Sequence, residues 1–161
     1  KSNEITAVPE LLELVDVKGS IVTADAMSCQ KEIVRKIHEK KADYVIALKG
    51  NQPTMLEDAA EYFQTFGPEL PMTHNLEKDH GRIENRSYYL VTDLSWLPER
   101  KEWPGLKSIG VVKTKRVCQE QETTEVRYYL TSLTDVEKFA YAARKHWSIE
   151  NQLHWCLNAI L

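Results

Sequence analysis

Two acidic residues in unlike settings offer this chain its most distinctive chemistry. Asp25 closes the short run Ser20-Ile-Val-Thr-Ala-Asp25, and Glu150 stands inside Arg144-Lys-His-Trp-Ser-Ile-Glu-Asn-Gln-Leu-His-Trp155. Carboxylate oxygens are hard donors that suit Mg2+ or Mn2+, ions that keep several waters and accept phosphate oxygens as further ligands. Two such ions can activate a hydroxyl on one side of a phosphodiester and stabilise the leaving oxygen on the other. His146 and His154 lie four residues to either side of Glu150, on one helical face, with Arg144 and Asn151 beside them. The same trio suggests a transition-metal site, but its spacing is not that of the His-Glu-x-x-His arrangement and no further ligand is evident. The plainest reading of Glu150 alone is a solvated carboxylate on a helix whose tryptophans pack.

The elements around these residues follow from periodicity. Ile149, Leu153, Cys156 and Ile160 form an apolar stripe at helical spacing, which Phe139 and Ala142 extend backwards. Ile5, Val8, Leu11, Leu12 and Val15 predict a first helix after a cap at Asn3, ended by Lys18-Gly19. The run ending at Asp25 is β-branched without alternation, as in a strand covered on both faces. Ser28 is placed to cap a second helix reaching about Lys41, with Ile33, Val34 and Ile37 inward, and Asp43-Tyr-Val-Ile-Ala-Leu48 reads as a second buried strand. Strand, helix, strand with short joints is a βαβ unit with parallel strands, and its ligand-facing edge lies beyond their carboxyl ends. Asp25 and Lys49-Gly-Asn-Gln52 emerge there.

Thr54 and Glu57 read as a capping box for a third helix with Leu56, Ala59, Ala60 and Phe63 on its buried face. After a loop at Gly67-Pro-Glu-Leu-Pro71 the period becomes strand-like. Ile83 to Val91, Lys107 to Val117 and Thr124 to Ser132 read as strands, the last two joined by the polar segment 119–123. They form an antiparallel region inserted before the final helix. This divides the chain into an α/β core of residues 1–66 and 133–161 and a β-rich insertion of residues 67–132.

The 161 residues are 42% hydrophobic and 28% charged, enough for one core of moderate size. Three cysteines without metal-ligand spacing give no disulfide framework and point to a reducing compartment. No apolar run reaches membrane-spanning length. The net charge of −3 argues against a free-standing basic nucleic-acid module, yet residues 80–161 hold 12 Lys and Arg against 10 Asp and Glu, so a polyanion would meet that half more readily.

Asp25-Ala-Met, Leu48-Lys-Gly-Asn-Gln52, His80-Gly-Arg-Ile-Glu84 and above all His146-Trp-Ser-Ile-Glu-Asn-Gln-Leu-His-Trp155 resemble DDE transposases of bacterial insertion sequences, specifically the H-repeat-associated group. The resemblance covers essentially the whole chain with its motifs in order. It implies a ribonuclease H-like core with a β-rich insertion, metal-dependent DNA cleavage and strand transfer, and a bacterial, cytoplasmic, nucleoid-associated protein. Its partners would be DNA, both element ends and target, and a second copy of the chain as a homodimer, with no membrane and no small-molecule substrate. Asp25 would be the second acidic residue of the triad and Glu150 the third, both holding Mg2+ or Mn2+. The first should lie on an earlier strand, and Asp16, at a helix end, is misplaced for it; the chain is therefore expected to be inactive alone. Lys49, Asn51, Gln52, His80, Arg82, Arg86, Arg144, His146 and Asn151 are the expected DNA-binding residues. Asn158, where the group carries Asp, motivates an alternative: a decayed, non-catalytic DNA- or protein-binding remnant.

Overall fold

Two separate apolar faces on one sheet decide the architecture. In the computed structural model, which describes residues 4–160 and the side chains of residues 8–148, β1 (Ile21–Ala24) and β2 (Asp43–Leu48) pair in parallel. Between them runs α2 (Lys31–Glu39), which buries Ile33, Val34 and Ile37, the i, i+1, i+4 face that its sequence displays. The remaining strands β3 (Met72–Asp79), β4 (Arg82–Val91), β5 (Ser108–Cys118) and β6 (Gln121–Thr131) are antiparallel to one another. They continue the parallel pair's sheet, because β6 runs antiparallel beside β2, with Val45 opposite Thr131 and Leu48 opposite Tyr128. The six-stranded order is β1-β2-β6-β5-β4-β3.

Alternation then assigns residues to faces. Tyr44, Ile46, Leu48, Ile109, Val111 and Leu130 pack toward α2 and α3 (Pro53–Phe66), with Leu12 of α1 (Glu4–Leu14) at the margin. Val45, Tyr88, Leu90, Val112 and Tyr129 face the other way and receive Phe139, Ala140, Ala142 and Ala143 of α4 (Val136–Ile160). Phe139 lies edge-on to Tyr129 and Tyr88, at centroid distances of 5.6 and 6.5 Å. It can press so close because Gly110 lies beneath it, where any Cβ would overlap the ring.

The entry into α4 is fixed by hydrogen bonds. Ser108 Oγ donates to the Leu133 carbonyl at 2.7 Å, Ser132 Oγ donates to Asp43 at 2.8 Å and accepts from the Tyr44 amide at 2.9 Å. Asp135 then caps the helix by accepting from the Glu137 amide at 2.9 Å. These bonds tie the start of α4 to the sheet.

Several boundaries differ from expectation. The first helix ends at Leu14, four residues before Lys18-Gly19. Ser28 does not cap α2; its hydroxyl is fully buried in the short 3-10 turn Ala26–Ser28, and Gln30 takes the cap position. Thr54 and Glu57 form no capping box, because Gln52 is the cap and Pro53 opens α3, where its missing amide costs nothing. β3 was not expected at all: Met-Thr-His-Asn-Leu-Glu-Lys-Asp is poor in β-branched residues, and as an edge strand most of it stays exposed. The polar segment 119–123 shrinks to a two-residue turn, with Gln119 at φ 50 and Glu120 at φ 67, which lets the strands run to Cys118 and from Gln121.

Candidate active site at the carboxyl edge of the sheet

β1 and β2 end together, and the chain leaves both at the same edge. After Ala24 the backbone turns at Asp25 into the 3-10 turn, closed by the Ser28 amide donating to the Asp25 carbonyl at 2.9 Å. The loop after β2 braces this turn from the side. Asn51 Nδ2 donates to the Ala26 carbonyl at 2.7 Å and Gln52 Nε2 to the Cys29 carbonyl at 3.1 Å. Thr23 and Asp25, two residues apart on an extended segment, share a face, and it is the face that α4 covers.

α4 reaches that edge through His146. Its Nδ1 lies 2.9 Å from Thr23 Oγ1 and its Nε2 3.1 Å from Asp25 Oδ1. The imidazole is mostly covered, with 21% of its side chain exposed, whereas the Asp25 carboxylate, at 51%, stays open to solvent. Asp25 opens into a cleft of about 870 Å3 that is also lined by Lys49, Arg127, Tyr128, His146 and Trp147. Trp147 is half-buried against the sheet, with the Arg86 and Arg127 guanidiniums 5.1 and 5.5 Å from its ring. Arg144, exposed, lies 6.0 Å from the Tyr88 ring. Burial pushes the Tyr88 phenol up to about 12, so it stays neutral and donates to Asn75 Oδ1 at 2.7 Å.

Residues 1–160 match a family model described as "Transposase DDE domain". The chain belongs to the DDE transposase family. It is 42% identical over 171 aligned positions to the "H repeat-associated putative transposase YhhI" of Escherichia coli K12, a match that covers 100% of this chain and 45% of that protein. "Putative transposase YncI" of Escherichia coli O157:H7 is also 42% identical, with 98% of this chain and 43% of that protein covered. An uncharacterized protein in the dhlA 3′ region of Xanthobacter autotrophicus is 41% identical over 136 residues. The chain thus spans a little under half the length of the curated relatives it matches. No solved structure matches it.

Within this transposase domain the expected site residues fall into three groups. Asp25, His146 and Lys49 line one cleft, and Asn51 and Gln52 sit behind it, with their amides spent on the turn that carries Asp25. A second group is engaged in charge pairing, although Arg86 also meets the ring of Trp147 at the cleft wall. Arg82 and Arg86 both bind Glu84, at 3.1 Å each, and Arg116 joins them at 3.0 Å; Glu84 is only 7% exposed, so its charge requires these partners. His80 occupies the β3–β4 hairpin apex with Gly81, almost fully exposed and 3.2 Å from Asp79. From the row of Tyr89, level with Leu48, to Arg82 is seven residues, roughly 23 Å of strand, so this apex is not beside Asp25. Glu150 and Asn151 have side chains outside those described, as does His154; Glu150 is placed only by its backbone, four residues beyond His146 in the same helix.

Sequence reasoning missed Thr23 and Arg127. Thr23 carried a signal, since it lies at i−2 from Asp25 on a strand; Arg127 carried only the alternation of β6. Among the described residues no three His, Cys, Asp or Glu side chains gather to hold a metal ion, and no helix is long and apolar enough to cross a membrane.

Proposed function

We propose that this chain is part of the catalytic core of a transposase that cleaves DNA phosphodiesters and joins the ends to a target, with Asp25 and Glu150 as two of its acidic residues. The observation that carries this reading is the Asp25–His146 contact, which brings α4 to the carboxyl edge of β1 with Glu150 one turn, about 6 Å, further along the helix axis. The fold we assign to this core is ribonuclease H-like, with residues 1–66 and 133–161 as the core and residues 67–132 as a β-rich insertion that extends its sheet. Among the described residues β1 pairs only with β2, which leaves its other side for a strand that bears the first acidic residue.

Asp25 fits a divalent ion by its chemistry: a hard, half-exposed carboxylate in an open cleft at the sheet edge. Asp25 and Glu150 would hold Mg2+ or Mn2+, which supplies a water or hydroxyl of lowered pKa and charge stabilisation at the phosphoryl group. The chain's own groups do the rest. Lys49 lines the same cleft and places positive charge where a phosphodiester enters, beside Arg127, which is paired with Glu125 at 3.4 Å. Asn51 and Gln52 hold the Asp25 turn rigid instead of meeting DNA, and Arg82 and Arg86 act through the Glu84 network on the shape of the β-region. Water attacks phosphorus in line and expels the 3′-oxygen of the element end, and that 3′-hydroxyl then attacks a target phosphodiester and expels its 3′-oxygen; DNA is the substrate in both steps. With two of three carboxylates, the isolated 161-residue chain is expected to be inactive.

The test is nicking and strand transfer of terminal-repeat DNA by a full-length protein that contains this chain. Asp25→Ala and Glu150→Gln should each lower the rate by at least about 1000-fold, equivalent to some 4 kcal/mol of barrier. Unchanged cutting by the double variant would overturn the assignment.

A further inference from the structure

A carboxylate at the end of an edge strand has two torsions and, when half-exposed, little packing to hold it. Asp25 is such a group, yet its Oδ1 lies 3.1 Å from an imidazole nitrogen that is itself largely covered. An ionised carboxylate only accepts, so His146 Nε2 carries the proton in that bond. In the neutral ring Nδ1 is then an acceptor, and it lies 2.9 Å from the Thr23 hydroxyl, which donates to it. For the neutral ring the order of donation is therefore Thr23 to His146 to Asp25, and in either protonation state the Nε2 proton points at Asp25. Thr23 lies within β1 and Asp25 directly follows the strand, so the imidazole bridges β1 and the residue just past its end from a helix 121 residues further along the chain.

We infer that His146 is a positioning residue, supported at Nδ1 by Thr23, that fixes the Asp25 carboxylate for a divalent ion and seats α4 one turn before Glu150. This rests on the reading of Asp25 as a metal ligand given above. His146 is therefore reassigned from the expected DNA contacts to the support of the carboxylate. The imidazole holds Asp25 by a direct bond and ties α4 to the sheet edge one turn before Glu150. Groups that hydrogen-bond a metal-ligating side chain typically cost 10–100-fold in metal affinity when removed.

The experiment measures Mn2+ binding to the full-length protein without DNA, by the electron paramagnetic resonance signal of free Mn2+, for the wild type, Asp25→Asn, His146→Ala and Thr23→Val. Thr23→Val keeps the shape of a β-branched strand residue while deleting the hydroxyl, so it stays informative even if His146→Ala folds poorly. The inference expects Asp25→Asn to abolish the binding, His146→Ala to weaken it 10–100-fold, and Thr23→Val to weaken it several-fold. Thr23→Val should also shift the 15N signal of His146 Nδ1, which loses its hydrogen bond, a change that a purely packing role would not produce. Loss of binding in Asp25→Asn with wild-type affinity and an unshifted Nδ1 signal in Thr23→Val, and wild-type affinity in His146→Ala, would overturn the positioning role alone. Unaltered binding in Asp25→Asn would overturn the reading of Asp25 as a ligand, and the inference with it.

Discussion

Single residues here show how burial separates chemistry from structure. Cys29, four residues from Asp25 in sequence, is the neighbour most easily mistaken for a reactive group; it is fully buried at the base of the 3-10 turn. Burial pushes its thiol from 9.0 up to about 12 and leaves it inert as a nucleophile. The pH consequence follows from the raised folded value. Its contribution to stability is complete below the unfolded pKa near 9.0 and is lost as pH rises through about 12. Urea unfolding should therefore weaken by up to about 1.4 kcal/mol per pH unit from this group across that window. Cys29→Ala should flatten the decline; an identical pH profile in the variant would show that the thiol is not buried. Thr23 and His146 teach the complementary lesson. Thr23 is not distinctive in sequence and His146 reads there as a DNA contact; the fold, which brings together residues separated by 123 positions, makes them a pair.

At the scale of elements, legibility tracked the strength of the local signal. The βαβ unit was readable because Ser20–Asp25 and Asp43–Leu48 are β-branched apolar runs and α2 displays a clean inward face. β3 was not, since its residues hold their place through pairing with β4 and not through their own preference. The helix caps failed for a related reason: a nearby serine or threonine is only a cap if the loop's path puts it there, and the Asp25 turn and Pro53 decide otherwise. The seat of α4 depends on a glycine with no sequence signature of its own. Gly110→Ala would drive a methyl into Phe139 and force the helix off the sheet, at about 1–3 kcal/mol of stability. Thermal unfolding of the variant should show that loss, and a companion Phe139→Leu should recover part of it; no loss would mean α4 is not clamped at this point.

For the whole molecule, one continuous sheet carries two tasks at different places. Its parallel end, with helices on both faces, presents Asp25, Lys49 and His146 at a cleft. Its antiparallel end extends as two hairpins whose charges largely satisfy one another around Glu84. That Asp25 follows a buried strand and Glu150 lies on a long helix was legible from sequence, the first from a β-branched run and the second from a helical apolar stripe. The internal pairing of Arg82, Arg86 and Arg116 was not, since cross-strand register, with Glu84 opposite Arg116, decides it. Residues that look like a basic surface for DNA can thus be partners for a buried acid.

The central claim, that Asp25 and Glu150 serve one divalent ion, is tested most directly by replacing that ion with Fe2+ in a full-length protein that contains this chain and adding peroxide and ascorbate. Hydroxyl radicals released at the bound iron cut the backbone nearby. Fragments ending close to both residue 25 and residue 150, suppressed by excess Mg2+, are the result this account predicts. Cutting near only one of these positions, or at neither, would contradict it.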